Sequence, residues 1–315
     1  MGIMKLAPAG KSFIWGGTKL RERYGKDIPL SPLAETWECS VHPDGKSIVI
    51  SGENAGMTLS EVIEREPALL GSRCKEGFPV LIKLIDAADD LSVQVHPDDI
   101  YARLHGCKNG KHEMWHILEA EEGSRIAYGF KKEMTREKVR EAIASGTLEK
   151  YLNYVKVKKG DTFFIPAGTV HSIGKGIVLA EIQQDCNITY RIYDYDRTDK
   201  DGNKRPLHIE NALEVMSLSP VDYDYDGDSI SCRAYEVEVL CHCRAFRTVK
   251  AVVRTEMDIM TDERSFRAIL CIGGEGNISG GGESMDIKKG ECIFLPAGRK
   301  EYTLSGKAEY LIVSR

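Results

Sequence analysis

A twelve-residue segment occurs twice in this chain of 315 residues, as Val157-Lys-Lys-Gly-Asp-Thr-Phe-Phe-Ile-Pro-Ala-Gly168 and Ile287-Lys-Lys-Gly-Glu-Cys-Ile-Phe-Leu-Pro-Ala-Gly298, a fixed offset of 130. Each copy holds a glycine turn, a short apolar run suited to a buried strand and a Pro-Ala-Gly turn. A chain that repeats a strand together with both of its turns is expected to repeat the folding unit around them. Upstream, His116-Ile117-Leu118 matches Ala268-Ile269-Leu270 at an offset of 152, so the first copy carries 22 residues more than the second. That excess is close to the length of the stretch from Lys131 to Asn153, which has a helical pattern. Two β modules are therefore expected, the first with a helical insertion and the second stripped down.

Short apolar runs punctuated by Gly and Pro predict strands over Ser47–Ser51, Val80–Ile85, Leu91–His96, Met114–Leu118, Thr162–Ile165, Ile177–Ile182, Ala251–Thr255, Phe266–Ile272 and Cys292–Leu295. Helices are fewer. Thr58-Leu59-Ser60-Glu61 reads as a capping box whose helix is stopped by Pro67. Val139, Ala142 and Ile143 fall at helical spacing within Thr135–Ser145, ahead of Gly146. Many short strands with few helices point to a barrel or jelly roll. The expected fold is mainly β: two jelly-roll barrels, a catalytic unit over 1–220 with a helical insertion near 131–153, and a smaller unit over 221–315.

Leu91-Ser-Val-Gln-Val-His-Pro-Asp-Asp99 alternates strictly, so Ser92, Gln94 and His96 share one face of a strand that Pro97 ends. That face carries neither Lys nor Glu, which fits part of a metal site as well as a solvated surface. Period two also puts Lys111 and Glu113 on one face and His112, Met114 and His116 on the other. A net charge of −5 with no basic patch argues against a nucleic-acid partner. The start of the sequence resembles no signal or transit peptide, and no apolar run reaches membrane-spanning length, so a cytoplasmic protein without a membrane partner is expected. Nine scattered cysteines without a Cys-x-x-Cys pair fit a reducing compartment. Cys241-His242-Cys243 lies in an alternating run and reads as strand, not as a zinc motif. Asp222–Asp228 mimics the start of a calcium loop but ends on Arg233 at its twelfth position and reads as an acidic linker. The Gly273–Gly276 and Gly280–Gly282 clusters lack dinucleotide-loop spacing and read as hairpin turns.

The Gly-turn-strand-Pro-x-Gly-x-x-His pattern resembles the cupin superfamily, small barrels whose interior often holds a metal. His171 follows Pro166-Ala-Gly-Thr-Val170 where cupins carry a metal-binding histidine, while the second copy has Glu301 there and Ser265 falls opposite Glu113. With Gln94, His96 and Glu113, His171 completes a nitrogen and oxygen set suited to Zn, Fe, Mn or Co.

Further segments sharpen the resemblance: Ile14-Trp-Gly-Gly-Thr-Lys-Leu20, Ala34-Glu-Thr-Trp-Glu38, Gln94-Val-His-Pro-Asp-Asp99, Lys111-His-Glu-Met-Trp115, Pro166–His171 and Thr189-Tyr-Arg-Ile-Tyr-Asp-Tyr-Asp-Arg197. In this order they resemble the type I phosphomannose isomerases in their short bacterial form. The resemblance implies interconversion of mannose 6-phosphate and fructose 6-phosphate, one Zn2+ per chain held by Gln94, His96, Glu113 and His171, catalytic roles for Arg191 and Lys111, and substrate binding by Lys83, Lys111 and Arg191. Two departures stand out. His112 replaces the family's usual Thr or Pro and could bring a second base near the site, and Asn187 replaces an Asp four residues before the motif arginine.

Such an enzyme moves a proton between C1 and C2 through an enediolate, whose charge a metal or a forked guanidinium can stabilise. On residue types alone, Arg191 could equally stack on Tyr190, Tyr193 or Tyr195 and pair with Asp194 or Asp196. Lys83 interrupts an apolar strand and suits either a buried phosphate contact or a snorkelling edge position. His112, Lys111 and a metal-bound water remain open as the base. Beside the isomerase stand two alternatives, a non-haem iron cupin oxygenase built on His96, Glu113 and His171, and a non-enzymatic sugar-binding module with a structural metal. The oligomeric state, a monomer included, is not legible.

Overall fold

The computed structural model of the protein describes residues 2–199, 201–222 and 227–315; positions 223–226 of the acidic run lie outside them. Three antiparallel sheets and a few short helices make up the described chain. A six-stranded sheet runs in the order Thr162–Ile165, Glu113–Ala120, Ile177–Gln184, Val80–Ala87, Glu35–Cys39 and Ala9–Lys11. Facing it, a five-stranded sheet runs Tyr190–Tyr193, Val93–Val95, His171–Ile173, Arg125–Phe130 and Leu152–Lys156. Ten strands form the third sheet, led by Arg267–Gly280, Cys292–Leu295 and Lys300–Ser314, and it also takes in Met4–Ala7 and Ile48–Val49 from the other end of the chain. The fold is mainly β as expected, but none of the three sheets closes on itself.

Burial on both faces explains why the central strands read as near-continuous apolar runs. Along Glu113–Ala120, Trp115 and Ile117 point into a core shared with Ile85, Leu91, Ile126, Ile173 and Leu179, between the six- and five-stranded sheets. Met114 and Leu118 point the opposite way, into a core with Ile82, Leu84, Phe266, Leu270, Phe294 and Leu311. That second layer glues the six-stranded sheet to the ten-stranded one. Fully burying each such aliphatic or aromatic side chain contributes about 1.5–3 kcal/mol.

Local signals hold to the residue. Thr58 caps Leu59–Arg65, its hydroxyl accepting from the Glu61 amide while Glu61 Oε2 accepts from the Thr58 amide at 2.8 Å. Thr135 and Ser145 flank Arg136–Ala144, which with the turn Leu148–Lys150 forms the insertion between two strands of the five-stranded sheet. The duplicated segment gives the strands Thr162–Ile165 and Cys292–Leu295, each preceded by a glycine in the left-handed region, Gly160 at φ 93° and Gly290 at φ 91°.

Other expectations shift. The predicted strand Ala251–Thr255 ends at Val253, because Arg254 and Thr255 turn into the next strand. Gly273–Gly276 is no hairpin turn: it lies within Arg267–Gly280, next to a register shift between Cys271 and Gly273, and only Gly281 and Gly282 turn the chain. Pairing also corrects the repeat. Met114 pairs with Phe164 and Ala268 with Phe294, so with the downstream copies 130 apart the upstream copies lie 154 apart, not 152. Glu113 pairs with Ile165 and Arg267 with Leu295, which makes Arg267, not Ser265, the counterpart of Glu113. A two-residue shift keeps the same face, so side-chain periodicity alone cannot detect it.

Candidate active site

Two sheets present the predicted residues to each other. On the five-stranded sheet, Gln94 pairs with His171 on one side and Arg191 on the other, so three candidate residues stand in one row. On the six-stranded sheet, Trp37, Lys83, Glu181 and Trp115 form a row across four strands, with Glu113 two residues from Trp115 on the same face. Strand alternation thus aims both rows into the space between the sheets.

At its floor, His96, Glu113 and His171 converge, each at most 1% exposed, with ligand atoms all within 4.8 Å of one another. The Nε2 atoms of the two histidines are 3.1 Å apart, His96 Nε2 is 3.3 Å from Glu113 Oε1, His171 Nε2 is 3.7 Å from Glu113 Oε2, and the Gln94 amide lies 3.4 Å from His171 Nε2. His96 Nδ1 contacts the Ile188 carbonyl and His171 Nδ1 the Thr169 carbonyl, each at 2.8 Å. A carbonyl only accepts, so both Nδ1 atoms carry the proton and both Nε2 atoms are bare acceptors aimed at each other. Neither Glu113 oxygen receives a well-aligned hydrogen bond. Two unprotonated imidazole nitrogens and a buried carboxylate thus converge as acceptors, with Lys111 on Glu113 and His96 and the Gln94 amide on His171, a set that suits a metal ion. The separations also suit one: a tetrahedral ion with bonds of about 2.1 Å spaces its ligands about 3.4 Å apart.

Lys111 supplies part of the missing positive charge, with Nζ 2.8 Å from Glu113 Oε1 and 3.2 Å from His96 Nε2. Burial by itself would raise the Glu113 carboxyl, but Lys111 and His96 hold it well below the usual carboxylate range. Burial, with Lys111 adding to it, pushes His96 down to about 3, and burial likewise lowers His171. Both imidazoles are therefore neutral at physiological pH.

Above this floor opens a cavity of about 310 Å³, lined among others by Gln94, Lys83, Lys111, Glu181, Arg191 and Arg205. Its full lining holds the cations Lys83, Lys111, Arg191 and Arg205 against the carboxylates Glu35 and Glu181, a surplus suited to an anion. Lys83 does not snorkel. It is 3% exposed, 3.0 Å from Glu181 and 3.7 Å from Glu35. Although burial opposes its charge, those carboxylates hold its pKa above the ordinary lysine value. Burial, and then the field of Glu113, raises the Glu181 carboxyl, whose Oε2 accepts from Trp115 Nε1 at 3.0 Å.

Arg191 is not the tyrosine-stacked arginine. Its Nε donates to Ser92 Oγ at 3.2 Å and its Nη1 to the Pro206 carbonyl at 2.9 Å. Arg197 is the residue that lies over Tyr195, at 5.0 Å, and Asp194 is taken by Arg197 and Arg205 at 2.7 and 2.8 Å. His112 turns away from the site: its ring stacks on Phe164 and its Nδ1 accepts the Ala167 amide at 3.1 Å, so it brings no second base. Asn187 lines the cavity and donates to Asp44 at 2.9 Å. Glu35, Glu181 and Arg205 escaped the sequence reading. The one available signal was that Glu181, like Lys83, interrupts an otherwise apolar strand.

Residues 3–136 match the family described as the catalytic domain of type I phosphomannose isomerase, and residues 238–315 match the mannose-6-phosphate isomerase cupin domain. The chain is 37% identical to the mannose-6-phosphate isomerase of Streptococcus mutans over 95% of its own length and 93% of that protein's. It is 37% identical to the mannose-6-phosphate isomerase ManA of Bacillus subtilis over 97% and 96%. The crystal structure of a mannose 6-phosphate isomerase from Bacillus subtilis superimposes with a TM-score of 0.94 at 35% identity, covering 100% of both chains. A mutant phosphomannose isomerase from Salmonella typhimurium, at 17% identity and a TM-score of 0.80, shares the fold.

Proposed function

The chain belongs to the type I phosphomannose isomerases, and from that membership we propose how its own residues interconvert mannose 6-phosphate and fructose 6-phosphate. The observation that carries the reading is the convergence of two unprotonated imidazole nitrogens and the buried Glu113 carboxylate beside a cation-rich cavity that Gln94 and Lys111 line. His96, Glu113, His171 and Gln94 would hold one divalent ion per chain, and Zn2+ suits that set of donors best. Bound there, such an ion would supply Lewis-acid stabilisation of the enediolate charge.

Arg191 stabilises the charge that develops on those oxygens. Ser92 and the Pro206 carbonyl fix two of its donors, so its planar fork is already oriented when substrate arrives. Lys111 keeps its Nζ on Glu113 Oε1 and turns a second N–H toward the substrate. Lys83 stays charged beside Glu181 and neutralises the phosphate side of the ligand, with Arg205 completing the cationic rim. Glu181 is the carboxylate that moves the proton: it lines the cavity, carries no metal-ligand role, and burial raises its carboxyl above the usual carboxylate range. A charged Lys83 cannot take that proton.

The division into two cupin-like barrels, a metal-binding unit over 1–220 and a metal-free unit over 221–315, is supported by the duplicated strand and by Arg267 standing where the first unit has Glu113. Nine free cysteines and the lack, among the described residues, of a helix able to cross a membrane support action in the cytoplasm. The oxygenase and sugar-sensor readings find less support in a site with four cations around its cavity. A coupled assay for fructose 6-phosphate formation, run with and without chelator and again without oxygen, tests the reading. Turnover that survives chelation, or that stops without oxygen, would overturn it.

A further inference from the structure

Each copy of the duplicated segment turns on Lys-Lys-Gly, at Lys158–Gly160 and Lys288–Gly290, and the isomerase chemistry uses neither turn. The second lysine of each, Lys159 and Lys289, lines the same cavity of about 280 Å³, between the six- and ten-stranded sheets. The strand Glu113–Ala120 separates it from the catalytic cavity: Glu113 points to the metal site, and His116, three residues on, takes the opposite face and lines this second cavity. Arg23 and Lys250 bring the cations around it to four, against the carboxylates Glu119 and Glu309. Glu119 is shared among Arg23, Lys289 at 3.7 Å and the Tyr24 hydroxyl at 3.1 Å, while Glu309 lies 3.9 Å from Lys250. Lys159 joins none of these pairs. His116 is 2% exposed; its Nδ1 lies 2.8 Å from Thr162 Oγ1, and among the described residues its Nε2 has no hydrogen-bond partner.

We propose that this cavity is a second anion site, which binds a phosphoryl group between the equivalent lysines of the two copies, Lys250 and the His116 imidazole. A buried imidazole with one nitrogen unspent, in the wall of a cation-lined cavity, has its missing partner in a ligand. With the Thr162 hydroxyl donating to Nδ1, Nε2 carries the N–H and offers it to that ligand. Burial, and then the fields of Lys250 and Lys159, push His116 down to about 3, so it serves as a neutral donor beside the lysine charges. The donor types select the ligand. Compact ammonium groups arriving from separate elements suit a phosphate, which takes hydrogen bonds on several oxygens, whereas a flat carboxylate is matched best by a guanidinium fork. The one arginine at this cavity is already on Glu119. With two carboxylates against four cations, a dianion brings the cavity close to neutrality. A volume just under the range of about 300–1,000 Å³ for drug-sized ligands limits the carrier to the phosphate ion itself or a small phosphate ester.

The catalytic cavity also attracts phosphate, so the test must read this site by itself. Brief acetylation of the intact protein, mapped residue by residue by mass spectrometry, does so through Lys159, Lys250 and Lys289, with the exposed Lys132 as internal control. Ionic strength is held constant with potassium chloride to keep screening equal. The probes are inorganic phosphate, pyrophosphate and glycerol 2-phosphate. At ten times its dissociation constant a ligand leaves about one site in eleven empty, so acetylation of the three lysines should slow about tenfold while Lys132 is unchanged. Stronger protection by the ester identifies a phosphorylated metabolite as the occupant and stronger protection by free phosphate identifies the ion; either result supports the site. Lys159→Met with Lys289→Met, a change at the surface of both turns, should weaken protection of Lys250 at least fivefold and leave isomerase turnover in phosphate-free buffer unchanged. His116→Leu should weaken it to a similar extent, and should that variant fold poorly the lysine pair decides. Equal acetylation with and without all three probes, slowing of Lys132 along with the others, or protection of Lys250 that survives loss of both turn lysines would overturn the assignment.

Discussion

Replacing Glu113 by Gln keeps the shape of the side chain and removes the charge on which the metal site turns. Two effects follow from the geometry, and they can be separated. The first is on the metal. Four protein ligands in structural zinc sites together contribute about 10–16 kcal/mol, so losing one anionic ligand costs about 3 kcal/mol, roughly a hundredfold in affinity. The second is on the metal-free protein. Lys111 Nζ lies 2.8 Å from Glu113 Oε1 with both groups at most 3% exposed, a gross attraction of about 6 kcal/mol at an effective dielectric of about 20. Because desolvation offsets much of it, orphaning Lys111 should destabilise the apoprotein by about 3–5 kcal/mol. Dialysis against a metal buffer followed by elemental analysis reads the first effect, and thermal unfolding with chelator reads the second. Adding Lys111→Met to Glu113→Gln removes the orphaned charge, so the double variant should regain most of the apoprotein stability while still binding metal weakly. Full metal occupancy with normal turnover in Glu113→Gln, or a double variant no more stable than the single one, would refute the reasoning.

Arg191→Lys removes the fork that Ser92 and Pro206 orient; turnover should fall about a hundredfold with a smaller rise in the Michaelis constant, and a change confined to the latter would make Arg191 a ground-state anchor. Glu301 is exposed on the ten-stranded sheet opposite Met260, so Glu301→Ala should leave about one metal per chain and near-normal turnover by elemental analysis and assay. Two metals per chain would contradict a metal-free second unit. Burial raises the Asp185 carboxyl from 3.8 to about 6, and its Oδ1 has no hydrogen-bond partner. Because the folded state holds that proton more tightly than the unfolded chain does, the stability linked to it is complete below about pH 4 and is lost as pH rises through about 6. Asp185→Asn should therefore raise the melting temperature at pH 8 more than at pH 4, with no more than about 3 kcal/mol at stake; an equal shift at both pH values would exclude the titration as its source.

Much of the local structure was legible from residue order alone, because capping, turn formation and alternation act over a few residues. Thr58 with Glu61, the Thr135–Ser145 helix, both copies of the duplicated strand and the shared face of Lys111 and Glu113 needed no distant partner to specify them. The resemblance carried by the motifs supplied His171 and Arg191. Pairing between strands far apart in sequence decided the rest. Periodicity says which face a side chain takes but not which residue faces it, so residue order alone sets the upstream repeat two residues out of register and puts Ser265 in the place of Arg267. The Lys83–Glu181–Trp115 row exists only because three strands lie side by side, and the competition of three arginines for Asp194, with Arg191 left over for the cavity, is settled by where the chain returns near Pro206. Tautomers belong to the same class: both bare Nε2 atoms follow from carbonyls at Ile188 and Thr169, and only the folded backbone brings the first of these, 92 residues downstream, to His96.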